Sequence, residues 1–362
     1  MKVNLQQFIR SDIKTLEEYI PANSLWDLQK KFGKIIKLDA GENQLGYSPK
    51  VAMVIQNANL FNFYPDPEYK ELRKALASYA GSRMENIMVG AGSDELIDLL
   101  LRLILDQNDE VINCPPTFGM YSVLIKVNRG KVISVPRKDN FSLDIDGILK
   151  KITSKTKIIF VCSPNNPTGN STTMNDVITL LKTGKLIIVD EAYFEFSKKS
   201  FITLIPKFKN LIILRTFSKW AGIAGLRLGY GIMDEFLVKQ IFKIKPLYNV
   251  SLMAEIAGIA ALNDARTYKK IIQNISLERN IMSKEIGKLN FLTVFPSEAN
   301  LLFIRINDGF EKIREAFEAK KIFVRYYQSE LTGNSIRLSI GTPEQNNVVL
   351  KTLINLAEVL YE

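Results

Sequence analysis

Through the middle of the chain, short unbroken apolar runs alternate with amphipathic stretches. That alternation predicts a buried, mainly parallel sheet flanked by helices. The runs Ile87–Val89, Glu110–Asn113, Lys131–Val135, Lys157–Cys162, Leu186–Val189, Leu211–Leu214 and Leu228–Ile232 read as strands. They are short and largely continuous, as strands covered on both faces are. Between them, segments such as Glu68–Tyr79 and Ser93–Leu105 repeat apolar residues at helical spacing. After about Pro246 the pattern changes to a long helical region (Ser251–Leu289), the run Leu301–Ile306, a helix near Gly309–Lys320 and the run Ile336–Ile340. The expectation is a large α/β domain over residues 33–245 and a smaller α+β domain built from residues 1–32 and 246–362. No internal repeat or low-complexity tract interrupts this order.

Composition narrows the picture. At 362 residues, 46% hydrophobic and 24% charged, the chain can bury a sizeable core. No apolar run approaches the roughly 18 residues needed to cross a bilayer, and Met1 to Ile20 lacks an apolar signal core. A cytoplasmic protein is expected, with no membrane partner. The net charge of +10 raises the question of nucleic acid. The lysines are scattered (Lys30, Lys31, Lys34, Lys198, Lys199, Lys269, Lys270), with no basic block and no basic-aromatic interleaving. They read as a solvated surface, so no nucleic-acid partner is expected, while a preference for anionic substrates stays open. Cys114 and Cys162 lack CxxC spacing and read as buried packers rather than a disulfide or metal pair. No metal site is expected. The chain contains no histidine, which removes His-based triads, His-ligated zinc and a histidine base. Proton transfer falls to Lys, Tyr, Asp, Glu or a cofactor.

Four segments fall at the carboxyl ends of expected strands, where open α/β sheets place their ligands. Gly90-Ala91-Gly92-Ser93-Asp94-Glu95 opens a helix whose N-terminal amides suit an anion, although the same residues also make ordinary capping. Ser163 to Gly169 is a Pro/Asn/Gly cluster, by itself a turn, with an Asn amide able to donate to a phenolate. Asp190-Glu191-Ala192-Tyr193 could set a carboxylate and a phenol on one side of a ring, or could be a cap or a metal ligand. Arg215 to Arg227 carries Ser218 and Lys219 ahead of Gly222 and Gly225, where a plain surface lysine is the ordinary alternative.

Singly, each segment is explained by structure alone. Together and in this order they resemble the fold-type-I aminotransferases that use pyridoxal 5'-phosphate (PLP), and within them the histidinol-phosphate aminotransferase family. The resemblance runs from Lys37-Leu38-Asp39-Ala40-Gly41-Glu42-Asn43 and Tyr64-Pro65-Asp66 through the four segments, Pro116-Thr117-Phe118 and Ala224-Gly225-Leu226-Arg227-Leu228-Gly229-Tyr230. It continues through Tyr248-Asn249-Val250 to the Leu-Arg-Leu-Ser-Ile-Gly run ending at Gly341. It implies that Lys219 binds PLP covalently and moves protons, that Asp190 pairs with the pyridine nitrogen, and that Tyr193 and Asn166 hold the ring oxygen. Phe118 would stack on the ring. Ala91, Gly92, Ser93, Ser218 and Arg227 would cradle the phosphate. Tyr64 would reach the cofactor phosphate of the neighbouring subunit of a homodimer. Arg337 would grip a substrate carboxylate or phosphate, with Arg325, Tyr19 and Asn43 completing the substrate site. The implied partners are an amino-acid donor and a phosphorylated acceptor: glutamate/2-oxoglutarate and histidinol phosphate/imidazole acetol phosphate, within amino-acid biosynthesis.

Three departures from the family pattern bear on substrate choice. Gly41-Glu42-Asn43-Gln44-Leu45 replaces the usual Asn-Glu-Asn-Pro, Phe118 replaces a tyrosine, and Trp220-Ala221 replaces Ala-Phe after the lysine. They leave room for another phosphorylated ketone, an amino-alcohol phosphate or an aromatic amino acid as substrate, and for a phospho-amino-acid decarboxylase on the same scaffold. A PLP-binding transcription regulator would add an N-terminal DNA-binding domain. Here the aminotransferase pattern already begins at Leu38 to Gly46.

Overall fold

The computed structural model describes residues 3–361; Met1, Lys2 and Glu362, the outermost residues of the two predicted terminal segments, lie outside them. The expected runs form one seven-stranded sheet: β1 (Ile87–Gly90), β2 (Glu110–Asn113), β3 (Lys131–Ser134), β4 (Thr156–Cys162), β5 (Leu186–Asp190), β6 (Leu211–Thr216) and β7 (Gly229–Ile232). Their spatial order is β1-β7-β6-β5-β4-β2-β3. Only β7 runs antiparallel to its two neighbours, so the sheet is mixed but mainly parallel, as expected.

The continuous apolar runs follow from burial on both faces. Along β4, Ile159 and Val161 enter one core cluster, while Ile158, Phe160 and Cys162 enter the other. On β5, Ile187 and Val189 face one side and Ile188 the other. Both cysteines are free and buried, as expected of packers. The expected helices appear as Lys70–Ala80 and Ser93–Ile104, and the long helical region divides at Asn263-Asp264 into Leu252–Leu262 and Ala265–Ile286.

A second, four-stranded antiparallel sheet comprises β8 (Leu292–Phe295), β9 (Leu301–Ile306), β10 (Arg325–Ser329) and β11 (Gly333–Ser339), in the order β10-β11-β9-β8. Ile36–Lys37 pairs in parallel with Ile322–Phe323, and the Ser339 amide donates to the Leu38 carbonyl. The segment leading into Gly41 is thereby stitched to the smaller sheet, across the cleft from the carboxyl ends of β4, β5 and β6.

Candidate active site

Three strand ends converge on one cavity of about 240 Å³. β5 delivers Asp190, β4 leads into Asn166, and β6 leads into Ser218 and Lys219. Phe118, Tyr193, Ser93 and Arg227 also line it. A second chamber of similar size shares Ala40, Phe118, Asn166 and Lys219 with the first and adds Tyr19, Arg325, Tyr327 and Arg337. Lys219 stands where the two meet.

Among the described residues the lysine donates to a backbone carbonyl and enters no ion pair. Its Nζ donates to the Ala40 carbonyl at 2.9 Å and sits 5.9 Å from the centre of the Tyr193 ring. Burial, reinforced by the positive charges of Arg337 and Arg227, lowers its pKa to about 8. A Cβ at Gly41, whose φ is +68°, would come within 3.2 Å of Nζ and 3.6 Å of the Tyr193 hydroxyl. The glycine keeps the space in front of the amine open.

Asp190 is 4% exposed, and burial pushes its carboxyl up to about 6. Its Oδ1 accepts the Ala192 amide at 3.0 Å and its Oδ2 accepts the Tyr121 hydroxyl at 2.7 Å. Tyr193 is buried, and burial raises its phenol well above the ordinary range. Asn166 Oδ1 accepts from Arg337 Nη1 at 2.7 Å, which leaves its amide N–H groups to donate elsewhere.

At the other end of the cavity the helix Ser93–Ile104 presents its N-terminus. Ala91 and Gly92 form the turn before it, but their own amides are engaged: Ala91 donates to Glu95 Oε2 at 2.6 Å, and Gly92 to the Gly90 carbonyl at 2.8 Å. The amides that face an incoming anion without an intrahelical acceptor are those of the first helical turn, Ser93 and Asp94. Arg227 lies beside them, its Nη2 3.0 Å from Asp94 Oδ2, and Ser218 is held by Thr216 Oγ1 at 3.0 Å. Asp94 and Thr216 line the cavity and were not among the residues expected. Asp94 reads in sequence as helix-capping charge, and Thr216 as the last residue of a buried strand.

In the outer chamber Arg337 is 8% exposed; it donates to Asn166 and to the Asp39 carbonyl, and its Nε–H has no partner. Arg325 lies directly opposite Arg337 across β10 and β11. Its guanidinium donates to the carbonyls of Ile20 and Pro21 at 2.9 and 3.1 Å, which ties down the N-terminal arm that carries Tyr19. Asn23 adds two 3.0 Å bonds to Asp39 Oδ2, and the buried Lys37 bridges Asp39 and Glu42 at 2.8 Å each. Arg325, expected in the substrate site, thus lines the outer chamber while clamping these two carbonyls. Tyr327 and Tyr121 are further residues that sequence reasoning missed. Nothing in their local pattern distinguishes them from core tyrosines.

Four expected residues line neither chamber: Ala91 and Gly92, in the turn described above, and Asn43 and Tyr64. Asn43 donates to the Trp220 carbonyl at 2.9 Å and accepts from the Leu45 amide, bracing the loop behind Lys219. Tyr64 is 79% exposed and stacks on Tyr248 at 4.3 Å. Trp220, one of the departures, is buried against Tyr79 and Tyr268 rather than in the cavity.

A lysine of lowered pKa and a buried carboxylate line one cavity at the strand ends of a mainly parallel sheet, with a helix N-terminus and an arginine at its other end; they define the class, an α/β protein with a cleft suited to an anionic ligand and to proton transfer. Comparison with known proteins agrees. Residues 33–353 match the aminotransferase class I and II family. The histidinol-phosphate aminotransferase of Dehalococcoides mccartyi is 39% identical over 359 residues, covering 99% of this chain and all of the relative. Histidinol-phosphate aminotransferase 1 of Arabidopsis thaliana, a chloroplast protein, is 38% identical and covers 96% of this chain and 85% of the relative. The crystal structure of the Sinorhizobium meliloti histidinol-phosphate aminotransferase with bound pyridoxal 5'-phosphate superposes with a TM-score of 0.88, at 24% identity, covering 97% of this chain and 98% of that one. The chain belongs to the class I and II aminotransferases, in the histidinol-phosphate aminotransferase family.

Proposed function

We propose that this enzyme uses PLP to move an amino group between glutamate/2-oxoglutarate and histidinol phosphate/imidazole acetol phosphate. The residues present suit the cofactor. An amine of pKa about 8 stands beside a carboxylate that can pair with a ring nitrogen, and a helix N-terminus with an arginine is placed for a dianion. When bound, PLP supplies an electron sink that stabilises negative charge at the substrate Cα. Lys219 would hold it through Nζ, and the same amine would carry the proton between the substrate Cα and the cofactor. Asp190 would pair with the ring nitrogen, Asn166 and Tyr193 with the ring oxygen, and Phe118 would cover the ring face. Ser93, Asp94, Ser218 and Arg227 hold the phosphate, with Ala91 and Gly92 shaping the turn.

The observation that carries the substrate reading is the pair Arg325 and Arg337. Like charges placed directly across two strands repel, so the arrangement suits an anion between them. Arg337 takes the carboxylate of glutamate or the phosphate of the partner substrate with the same fork, under a lid formed by Tyr19. Asn43 acts here by bracing the loop behind Lys219. Tyr64, exposed and stacked on Tyr248, supports a homodimer in which it reaches the neighbour's cofactor phosphate. Among the described residues no helix is long and apolar enough to cross a membrane, and a cytoplasmic setting fits the reading.

The test is direct. The purified protein should be yellow, and borohydride should fix the cofactor to Lys219. Feeding glutamate with imidazole acetol phosphate should release 2-oxoglutarate. A colourless protein that takes up no PLP refutes the cofactor reading. Release of carbon dioxide from a phosphorylated amino acid, with no 2-oxoglutarate formed, refutes the reaction.

A further inference from the structure

We infer that Tyr121 is a positioning residue that ties the partner of the cofactor's ring nitrogen to the aromatic on its face. Its hydroxyl donates to Asp190 Oδ2 at 2.7 Å, and the side chain is fully buried. Its ring stacks on Phe160 of β4 with centroids 4.6 Å apart and planes within 6°. The Phe118 ring meets it edge-on at 5.4 Å and 88°. One side chain thus fixes the angle of a carboxylate on β5 and seats the aromatic that precedes the helix Met120–Val127.

A carboxylate offers about four lone-pair sites, and here two are filled, one on each oxygen, by the Ala192 amide and the Tyr121 hydroxyl. The remaining capacity is aimed by those two bonds, so a ring N–H meets an acceptor whose direction is already set. The hydroxyl also opposes burial. A hydrogen bond to the ionised form favours it, in a site where Asp94 adds further negative charge and Lys219 offsets it. Cys162, the neighbour of Asp190 across β4 and β5, and Tyr193 also face the carboxylate, and both are held neutral by burial. Tyr121 is therefore the side chain that, together with the Ala192 amide, favours the ionised Asp190 without adding a competing cation.

This inference rests on the PLP reading above, and its test separates the two. PLP dissociation constants are measured from pH 5 to 9 by absorbance titration for wild type, Tyr121→Phe and Phe118→Leu, with melting temperatures as a check on folding. Tyr121→Phe keeps the ring stack and removes only the O–H. Loss of a hydrogen bond to a charged group should raise the dissociation constant at neutral pH about tenfold or more. The acid limb of the binding profile should move up by about one pH unit, because Asp190 becomes harder to ionise. With glutamate, kcat should fall while KM stays within about twofold. Phe118→Leu, which leaves the hydroxyl in place, should weaken binding without moving the acid limb. A Tyr121→Phe protein with the wild-type constant and acid limb overturns this inference alone, as does an acid limb moved equally by Phe118→Leu. A wild type that binds no PLP overturns the cofactor reading and this inference with it.

Discussion

Replacing Asp190 with asparagine should make the cofactor-free protein more stable while weakening its hold on PLP. Burial raises this carboxyl from 3.8 to about 6, so above pH 6 the folded protein carries an ionised group that it holds less well than water does. At about 1.4 kcal/mol per tenfold change in proton affinity, the cost is about 3 kcal/mol. Its sign follows from the raised value. Between 3.8 and 6 the folded state binds more protons than the unfolded one, so stability falls as pH rises through that window and the cost is complete above it. An amide of the same shape removes it. Oδ1 keeps the Ala192 bond, and the Tyr121 hydroxyl turns from donor to acceptor, with its hydrogen left to the weaker acceptor Cys162. Allowing about 1 kcal/mol for that exchange leaves a net gain of about 2 kcal/mol at pH 7.5. The charge contribution is about half as large at pH 5. The assay is urea denaturation of cofactor-free wild type and Asp190→Asn at fixed protomer concentration, at pH 7.5 and pH 5. Equal stability at pH 7.5, or a gain that does not shrink at pH 5, would refute the reasoning. The expected result places the carboxylate among groups retained for binding at a cost in stability.

Further outcomes follow from the same geometry. Arg337→Lys loses the fork that joins Asn166 and the Asp39 carbonyl, and steady-state kinetics should show KM for glutamate raised about ten- to a hundredfold. Arg325→Ala frees the carbonyls of Ile20 and Pro21, so limited trypsin digestion should cut after Arg10 and Lys14 sooner than in wild type. Gly92→Ala forces a side chain into a φ of +85° with its Cβ 2.5 Å from Arg227 Nη2. At about 1–3 kcal/mol for such a backbone, PLP affinity measured by absorbance titration should fall about tenfold or more.

The sheet was legible because burial on both faces leaves a direct trace. Ile158 to Val161 and Leu186 to Val189 are apolar at every position, and each run stops where polar residues begin the site. Asp190 and Lys219 could be read for the same reason: each follows such a run closely. What stayed hidden depends on contacts between residues far apart in the chain. Arg325 holds carbonyls some 300 positions away, and Asn43 reaches a carbonyl 177 positions on, so neither bond leaves a local pattern. The turn before the helix Ser93–Ile104 was less legible at finer scale. Glu95 reads as first-turn charge for the helix dipole, yet it folds back onto the Ala91 amide and leaves the amides of Ser93 and Asp94 as the ones without an intrahelical acceptor. Tyr121 was invisible because a buried tyrosine at a helix start looks like packing until its hydroxyl is seen to have a partner.

The absence of histidine gives the distribution of cations its meaning. Lys219, Arg227, Arg325 and Arg337 border two adjoining chambers, with the lysine lining both. Arg227 stands at the helix N-terminus, and the opposed pair Arg325 and Arg337 at the far side, so an anion can be bound at either end. These same charges act on the amine between them. Burial is the larger influence, and Arg337 and Arg227 add to it, so that an ordinary lysine becomes a base near neutral pH. Anion recognition and proton transfer are therefore not independent in this site. An anion that settles on Arg337 screens the charge that holds the lysine pKa down, and should return the amine toward its ordinary basicity just as substrate arrives. On the proposed reading, Arg337, the arginine that would grip the substrate, would also set the readiness of the lysine that acts on it.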